Sequence, residues 1–125
     1  MKLTPTRREF EREWRERIVK NILDLIVLKL LDEKPRWGYE LNIEIKDRFQ
    51  VYLSAGTLYP LLHSLEDRGL LEGIWDAGKG KGRRTYKITE HGREFLDAGE
   101  SMLSIAAANL KGVALKEKGD EDDDG

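Results

Sequence analysis

The sequence predicts a mainly α-helical domain with one small two-stranded β-hairpin and a long helix on its C-terminal side. Three observations carry this. Leucine and isoleucine recur at helical spacing in 18–31 and again in 58–65; two short apolar runs, 70–76 and 85–89, flank a glycine-rich basic segment; and a further helical stripe runs from Leu96 to Val113. At 125 residues, 39% of them hydrophobic, the chain has material for one modest core. Domains of that size often gain stability by oligomerising.

Residues 5–34 are expected to form one long first helix. Thr4 before Pro5 offers a start, and Thr6 with Glu9 offers a capping box as a second. Ile18, Ile22, Leu25, Ile26, Leu28 and Leu31 keep helical spacing, and Pro35 ends the run because proline disfavours helix in the residue before it. The front of this helix is nearly all charge, with Phe10 and Trp14 four residues apart, and reads as an extension (5–17) that docks on a partner surface. In 38–49, Tyr39, Leu41, Ile43 and Ile45 alternate with polar residues, which by periodicity favours a strand. Leu41, Ile45 and Phe49 also suit a helix, and no turn-linked partner strand lies nearby.

The stretch SAGTLYPLLHSLEDRGLLEG (54–73) reads as a third helix. Ser54 is the expected N-cap, Leu58, Leu61, Leu62 and Leu65 form one stripe, and Gly69 is a C-terminal stop. Pro60 removes one helix hydrogen bond, at roughly 3 kcal/mol in a regular interior, and predicts a kink or a tightened first turn. LLEGIWD (70–76) and TYKIT (85–89) are the two strands, joined by AGKGKGRR, a long basic tip. Thr89 starts a last helix, with Glu90 and Glu94 in its first turn, running to about Lys116. DEDDD at Asp120 to Asp124 marks 117–125 as a disordered acidic tail. Three helices followed by a basic hairpin make a winged helix-turn-helix over 1–88, with the last helix (89–116) attached.

Charge and composition narrow the function classes. The formal net charge is −2, but without the five acids of 120–124 the chain carries 22 basic against 19 acidic residues. With no cysteine and two histidines there is no disulfide framework and no cluster with metal-ligand content, which fits a reducing cytoplasm. The N-terminus has no apolar signal core and no window is apolar enough to span a membrane. GKGKGRR lies on a hairpin tip, not between strand and helix, so it lacks the context of a nucleotide-binding loop. No serine has a paired base in view. An enzyme, a cofactor and a metal are therefore not expected.

Three segments, LDLIVLKLLDEKPRWGYEL (23–41), SAGTLYPLLHSLEDRGLLEG (54–73) and GRRTYKITEHGREFL (82–96), resemble the PadR family of bacterial and archaeal transcriptional regulators. The leucine run leading to Pro-x-x-Gly-Tyr, the Gly-Thr-Leu-Tyr-Pro segment and the Tyr-x-Ile-Thr-x-x-Gly segment stand in the family's order and spacing. The resemblance implies a homodimer that binds a palindromic operator in double-stranded DNA, usually as a repressor, sometimes with release by a small molecule. It also tips 38–49 towards helix. Some relatives hold flat drugs between tryptophans of the last helix; here that helix has no aromatic residue after Phe95, so the same sandwich is not expected.

The expected DNA contacts follow from the third helix and the hairpin. With the leucines inward, Ser54, Ala55, Gly56 and Thr57 form the leading edge, and Tyr59, Pro60 and His63 lie outward. Gly56 permits close backbone approach, while Thr57, Tyr59 and His63 supply hydroxyls and a ring nitrogen. This helix has no lysine and only Arg68 near its end, so affinity must come from Lys79, Lys81, Arg83 and Arg84 on the tip. Arg36, with Lys46 and Arg48, can add backbone contacts or pair with Glu40, Glu44 or Asp47. The stripe Leu96, Gly99, Leu103, Ala106, Leu110, Val113 is expected to pack on a second chain, joined by Phe10 and Trp14. The alternative is a winged-helix protein-interaction module that binds no DNA, a reading that the acidic tail and the sparsely basic third helix favour.

Overall fold

The computed structural model describes residues 4–76 and 82–112. Among these, the elements run α1 (Arg7–Asn21), α2 (Leu23–Glu33), β1 (Arg36–Trp37), α3 (Gly38–Phe49), α4 (Ala55–Asp67), β2 (Leu71–Asp76), β3 (Arg83–Ile88) and α5 (Glu90–Leu110). Lys79 and Lys81 of the basic tip, Val113 and the acidic tail lie outside the described residues.

The helix expected over 5–34 is in fact two. The chain breaks at Ile22 (φ −117°, ψ 26°), whose N–H still donates to the Ile18 carbonyl at 3.0 Å. Neither proline nor glycine causes the break. The Asn21 amide donates to the Arg17 carbonyl at 2.7 Å and the Asp24 carboxylate accepts from the Leu25 N–H at 2.8 Å, so side chains on both sides of Ile22 compete with the helix ladder. The consequence is a change of face: Phe10, Trp14 and Ile18 of α1 are exposed, whereas Val19, Leu23, Ile26, Val27, Leu28, Leu30 and Leu31 are buried. Of the two possible starts, Thr6 is used, in a reciprocal capping box with Glu9.

α3 is a helix despite its alternating pattern. Leu41 and Ile45, four apart, are buried, while the other two members of the alternation, Tyr39 and Ile43, are exposed. α4 ends in a Schellman motif: Gly69 (φ 76°) donates to the Glu66 carbonyl at 2.9 Å and Leu70 to the Leu65 carbonyl at 3.0 Å, with Leu65 and Leu70 both buried. The hairpin gains a third strand that the sequence reading lacked. The sheet order is β1-β3-β2, all antiparallel, with Arg36 opposite Tyr86 and Trp37 opposite Thr85. Two residues following a proline carry no periodic signal, which is why β1 was not foreseen.

α5 changes the reading of the stripe expected to pack on a second chain, because its first turns dock on the chain's own core. Thr89 caps it, accepting from the Gly92 N–H at 3.0 Å and donating its hydroxyl to the Gly69 carbonyl at 2.7 Å. A β-carbon at Gly92 would overlap the Leu70 carbonyl, so only glycine permits this approach. Arg93 meets Asp32, Gly99 packs against Leu25 and Glu100 meets Lys29, so α5 runs antiparallel along α2. Leu96 is buried in the chain's own core and Gly99 serves an intramolecular contact. Both leave the expected dimer stripe, because the first turns of α5 complete the domain.

Arg36 closes the C-terminal end of α2. It is 6% exposed, its Nε donates to the Leu30 carbonyl at 3.0 Å, and its Nη2 meets Glu33 at 2.8 Å. Arg48 of α3 grips the same Glu33 with two hydrogen bonds of 2.8 Å and reaches Glu44 at 2.9 Å. Hydrogen bonds from Arg48, supported by Arg36, hold the Glu33 carboxyl below its ordinary value of 4.5, and the pairing raises Arg48. A carboxyl lowered by folding stabilises the fold above its unfolded pKa, and the contribution fades as pH falls through the folded one. Glu33→Gln is therefore expected to be less stable than the wild type near neutrality and to converge on it as pH falls below the ordinary carboxylate range, in urea midpoints followed from neutrality to the acid limit of folding. A gap that persists to the acid limit would remove the carboxylate from this role.

Candidate nucleic-acid interface

α4 divides cleanly into two faces. Leu58, Leu62 and Leu65 are buried, with Leu61 at the margin, and Ser54, Ala55, Gly56, Thr57, Tyr59, Pro60 and His63 are all exposed. The Ser54 hydroxyl makes no cap to a backbone N–H and lies 3.3 Å from the Thr57 hydroxyl. The Ser54 carbonyl accepts from both Thr57 at 3.0 Å and Leu58 at 3.1 Å, which is the tightened first turn that Pro60 predicted. Pro60 cannot donate to the Gly56 carbonyl, but both residues are on the outer face, where water can serve that carbonyl. The helix continues through to Asp67. His63 sits 3.7 Å from Asp67, and both are exposed.

The two helices of the helix-turn-helix are fixed by polar and close contacts. Gln50 takes a left-handed conformation (φ 57°) at the end of α3, and Val51 and Leu53 of the turn are buried. The Asn42 amide donates to the Leu53 carbonyl at 2.9 Å, immediately before α4 begins. Tyr59 lies against Gly38, where a β-carbon would displace the end of its ring. Tyr59 is thus partly packed while its outer surface remains open.

The wing is tied to α4 by one carboxylate. Glu66 Oε2 accepts from the Gly73 N–H at 3.0 Å and from Arg84 Nη2 at 2.8 Å. Arg84 and Arg83 belong to β3, not to the loop expected over 77–84. Arg83 lies over the Trp37 ring, 4.4 Å from its centroid. Two of the arginines expected at phosphates have partners within the chain. Arg36 is buried and bound to Leu30 and Glu33, and Arg84 is engaged by Glu66, so both cations serve the fold. Arg48 likewise pairs with Glu33 and Glu44. Glu66 and Asn42 were not singled out from sequence; an acid or amide beside a leucine stripe carries no signal of its distant partner.

Comparison with known proteins places this geometry. Residues 27–98 match the family described as the transcriptional regulator PadR-like family. The chain is 37% identical over 87 residues to an uncharacterized protein from Lysinibacillus sphaericus, spanning 66% of this chain and 78% of that one. Its fold is similar to a PadR family transcriptional regulator from Eggerthella lenta, with TM-score 0.74 and 29% identity over 83% of this chain and 91% of that one. It is also similar to a PadR-like transcriptional regulator from Bacillus cereus, with TM-score 0.69 and 26% identity over 77% and 94%.

If Glu66 holds the wing to α4, Glu66→Ala strands the Gly73 N–H and the Arg84 guanidinium. The expected cost is about 1–3 kcal/mol in denaturant melts. Amide exchange at Gly73 should accelerate more than exchange in α2. Unchanged protection at Gly73 would mean that the strand, not the carboxylate, keeps the wing in place.

Proposed function

The chain belongs to the transcriptional regulator PadR-like family, and from that membership we propose that it is a cytoplasmic repressor, binding a pseudo-palindromic operator in double-stranded DNA as a homodimer. The observation that carries the reading is the exposed outer face of α4, standing beside a wing whose base is lined with arginine. Ser54, Ala55, Gly56 and Thr57 lead α4 into the major groove, and Tyr59, Pro60 and His63 flank the base edges. Arg83, with Lys79 and Lys81 of the tip, takes the phosphates or the minor groove. With Arg36, Arg48 and Arg84 engaged within the chain, grip falls to the wing tip and selectivity to the neutral groups of α4.

The dimer rests on apolar surface that the chain does not cover. Phe10 and Trp14 on α1 are 49% and 53% exposed, and Leu103 and Leu110 on α5 are 41% and 88% exposed. Ala106 lies open between them. A two-fold axis joining these faces sets the two α4 helices about 34 Å apart, one turn of DNA. Nothing in this reading needs a cofactor, a metal or a catalytic group.

The internal engagement of three arginines also favours a second reading, a protein-interaction module without DNA binding. A mobility-shift assay with the protein's own upstream DNA separates them: the regulator must give a salt-sensitive, sequence-preferring shift, and its absence would leave the second reading. Arg83→Ala and Lys81→Ala should each flatten the slope of log affinity against log salt by about 0.9 per lost phosphate contact. For the dimer, Trp14→Glu should move the protein to monomer mass in light scattering, and an unaltered dimer would exclude α1 from the interface.

A further inference from the structure

We propose that Trp37 is a positioning residue, an aromatic platform that holds Arg83 ready for the nucleic-acid backbone; the proposal rests on the duplex-binding reading above. β1 is only two residues long, yet it pairs with β3. Its register sets Trp37 opposite Thr85, so Arg83 lies on the diagonal of the same sheet face, within reach of a long side chain. The guanidinium takes that place, 4.4 Å above the indole centroid, and the Tyr39 ring stands 5.3 Å from the same indole.

Stacking differs from ion pairing in what it leaves free. Arg84 has a carboxylate on its guanidinium, and that contact consumes donors. A guanidinium on an aromatic ring is held by its face, and its N–H edge is left for a planar acceptor such as phosphate. Among the described residues, Arg83 Nε and Arg84 Nε are both shielded from solvent and without a hydrogen-bond partner, so Arg83 is set apart by the ring beneath it. The platform also orders a long, rotamer-rich side chain before binding, which lowers the entropy lost when the contact forms. Trp37 adjoins Gly38, on which Tyr59 packs, so the platform links the outer face of α4 to the wing.

The test is a double-mutant cycle on duplex affinity with Trp37→Leu, Arg83→Ala and both together, with Trp37→Phe as the conservative variant. Trp37→Leu should weaken binding roughly two- to fivefold, add almost nothing in the Arg83→Ala background, and be largely rescued by phenylalanine. Additive effects, or failure of phenylalanine to rescue, would overturn the platform while leaving duplex binding intact. A second readout does not depend on the leucine variant folding. On duplex addition, the difference in tryptophan emission between wild type and Trp37→Phe should report a change at Trp37, and Arg83→Ala should abolish it. A duplex that binds without altering Trp37 emission would also overturn the proposal. Loss of all duplex binding by the wild type would instead sink the duplex-binding reading, and the platform with it.

Discussion

Helix α2 has almost no outward face, and the rest of the domain takes its position from that constraint. Leu23, Ile26, Val27, Leu28, Leu30 and Leu31 point in too many directions for one neighbour to cover. α1, α3, β3 and α5 all pack on it. Past its last turn the helix ladder runs out of donors, and the Lys34 N–H reaches the Leu30 carbonyl only at 3.4 Å, which leaves room for a second donor. Arg36 supplies it at the Leu30 carbonyl, and because Arg36 opens β1, the cap also anchors the sheet. Glu33 and Arg48 extend the same closure into α3, the helix that supports α4.

The three segments that resemble the PadR family are also the places where separate elements touch. Gly38 of the first segment is the floor for Tyr59 of the second. Gly69 and Leu70 at the end of the second receive Thr89 and Gly92 of the third. Gly92 is required by its partner, since a β-carbon would meet the Leu70 backbone carbonyl, and at Gly38 one would displace the end of the Tyr59 ring. The three segments are physically coupled in this chain: altering one side of a contact strands the other. Their order along the chain therefore carries more information than any one of them.

Much of the fold was legible in local chemistry. The leucine stripe of α4, its stop at Gly69, the cap at Thr89 and the paired strands all follow from spacing and turn residues. What escaped depended on contacts distant in sequence. The break at Ile22 separates an exposed apolar stripe from a buried one, and periodicity alone cannot tell those apart. Leu96 continues a perfect stripe with Leu103 and Leu110, yet the groove that takes it exists only once α2 and the sheet are assembled. Of the candidate site, the outward set on α4 could be read from the helical wheel. The fates of Arg36 and Arg84 could not, because a cation in sequence does not announce its carboxylate.

That last point decides how charge should be read in this protein. Counting Arg36, Arg48 and Arg84 as available overstates its attraction for a polyanion, since each is already neutralised by Glu33, Glu44 or Glu66. If the chain binds a duplex as proposed, using them there would mean giving up the Arg36 contact at the end of α2, or the tie between α4 and the wing. The cations that can meet phosphate must be those whose removal leaves the fold standing. Arg83 meets that condition: it leans on an aromatic ring, and the sheet beneath it is held by backbone pairing. On the duplex-binding proposal, grip and shape fall to different arginines one position apart on the same strand, and strand alternation, which turns Arg83 and Arg84 to opposite faces, keeps the two roles separate.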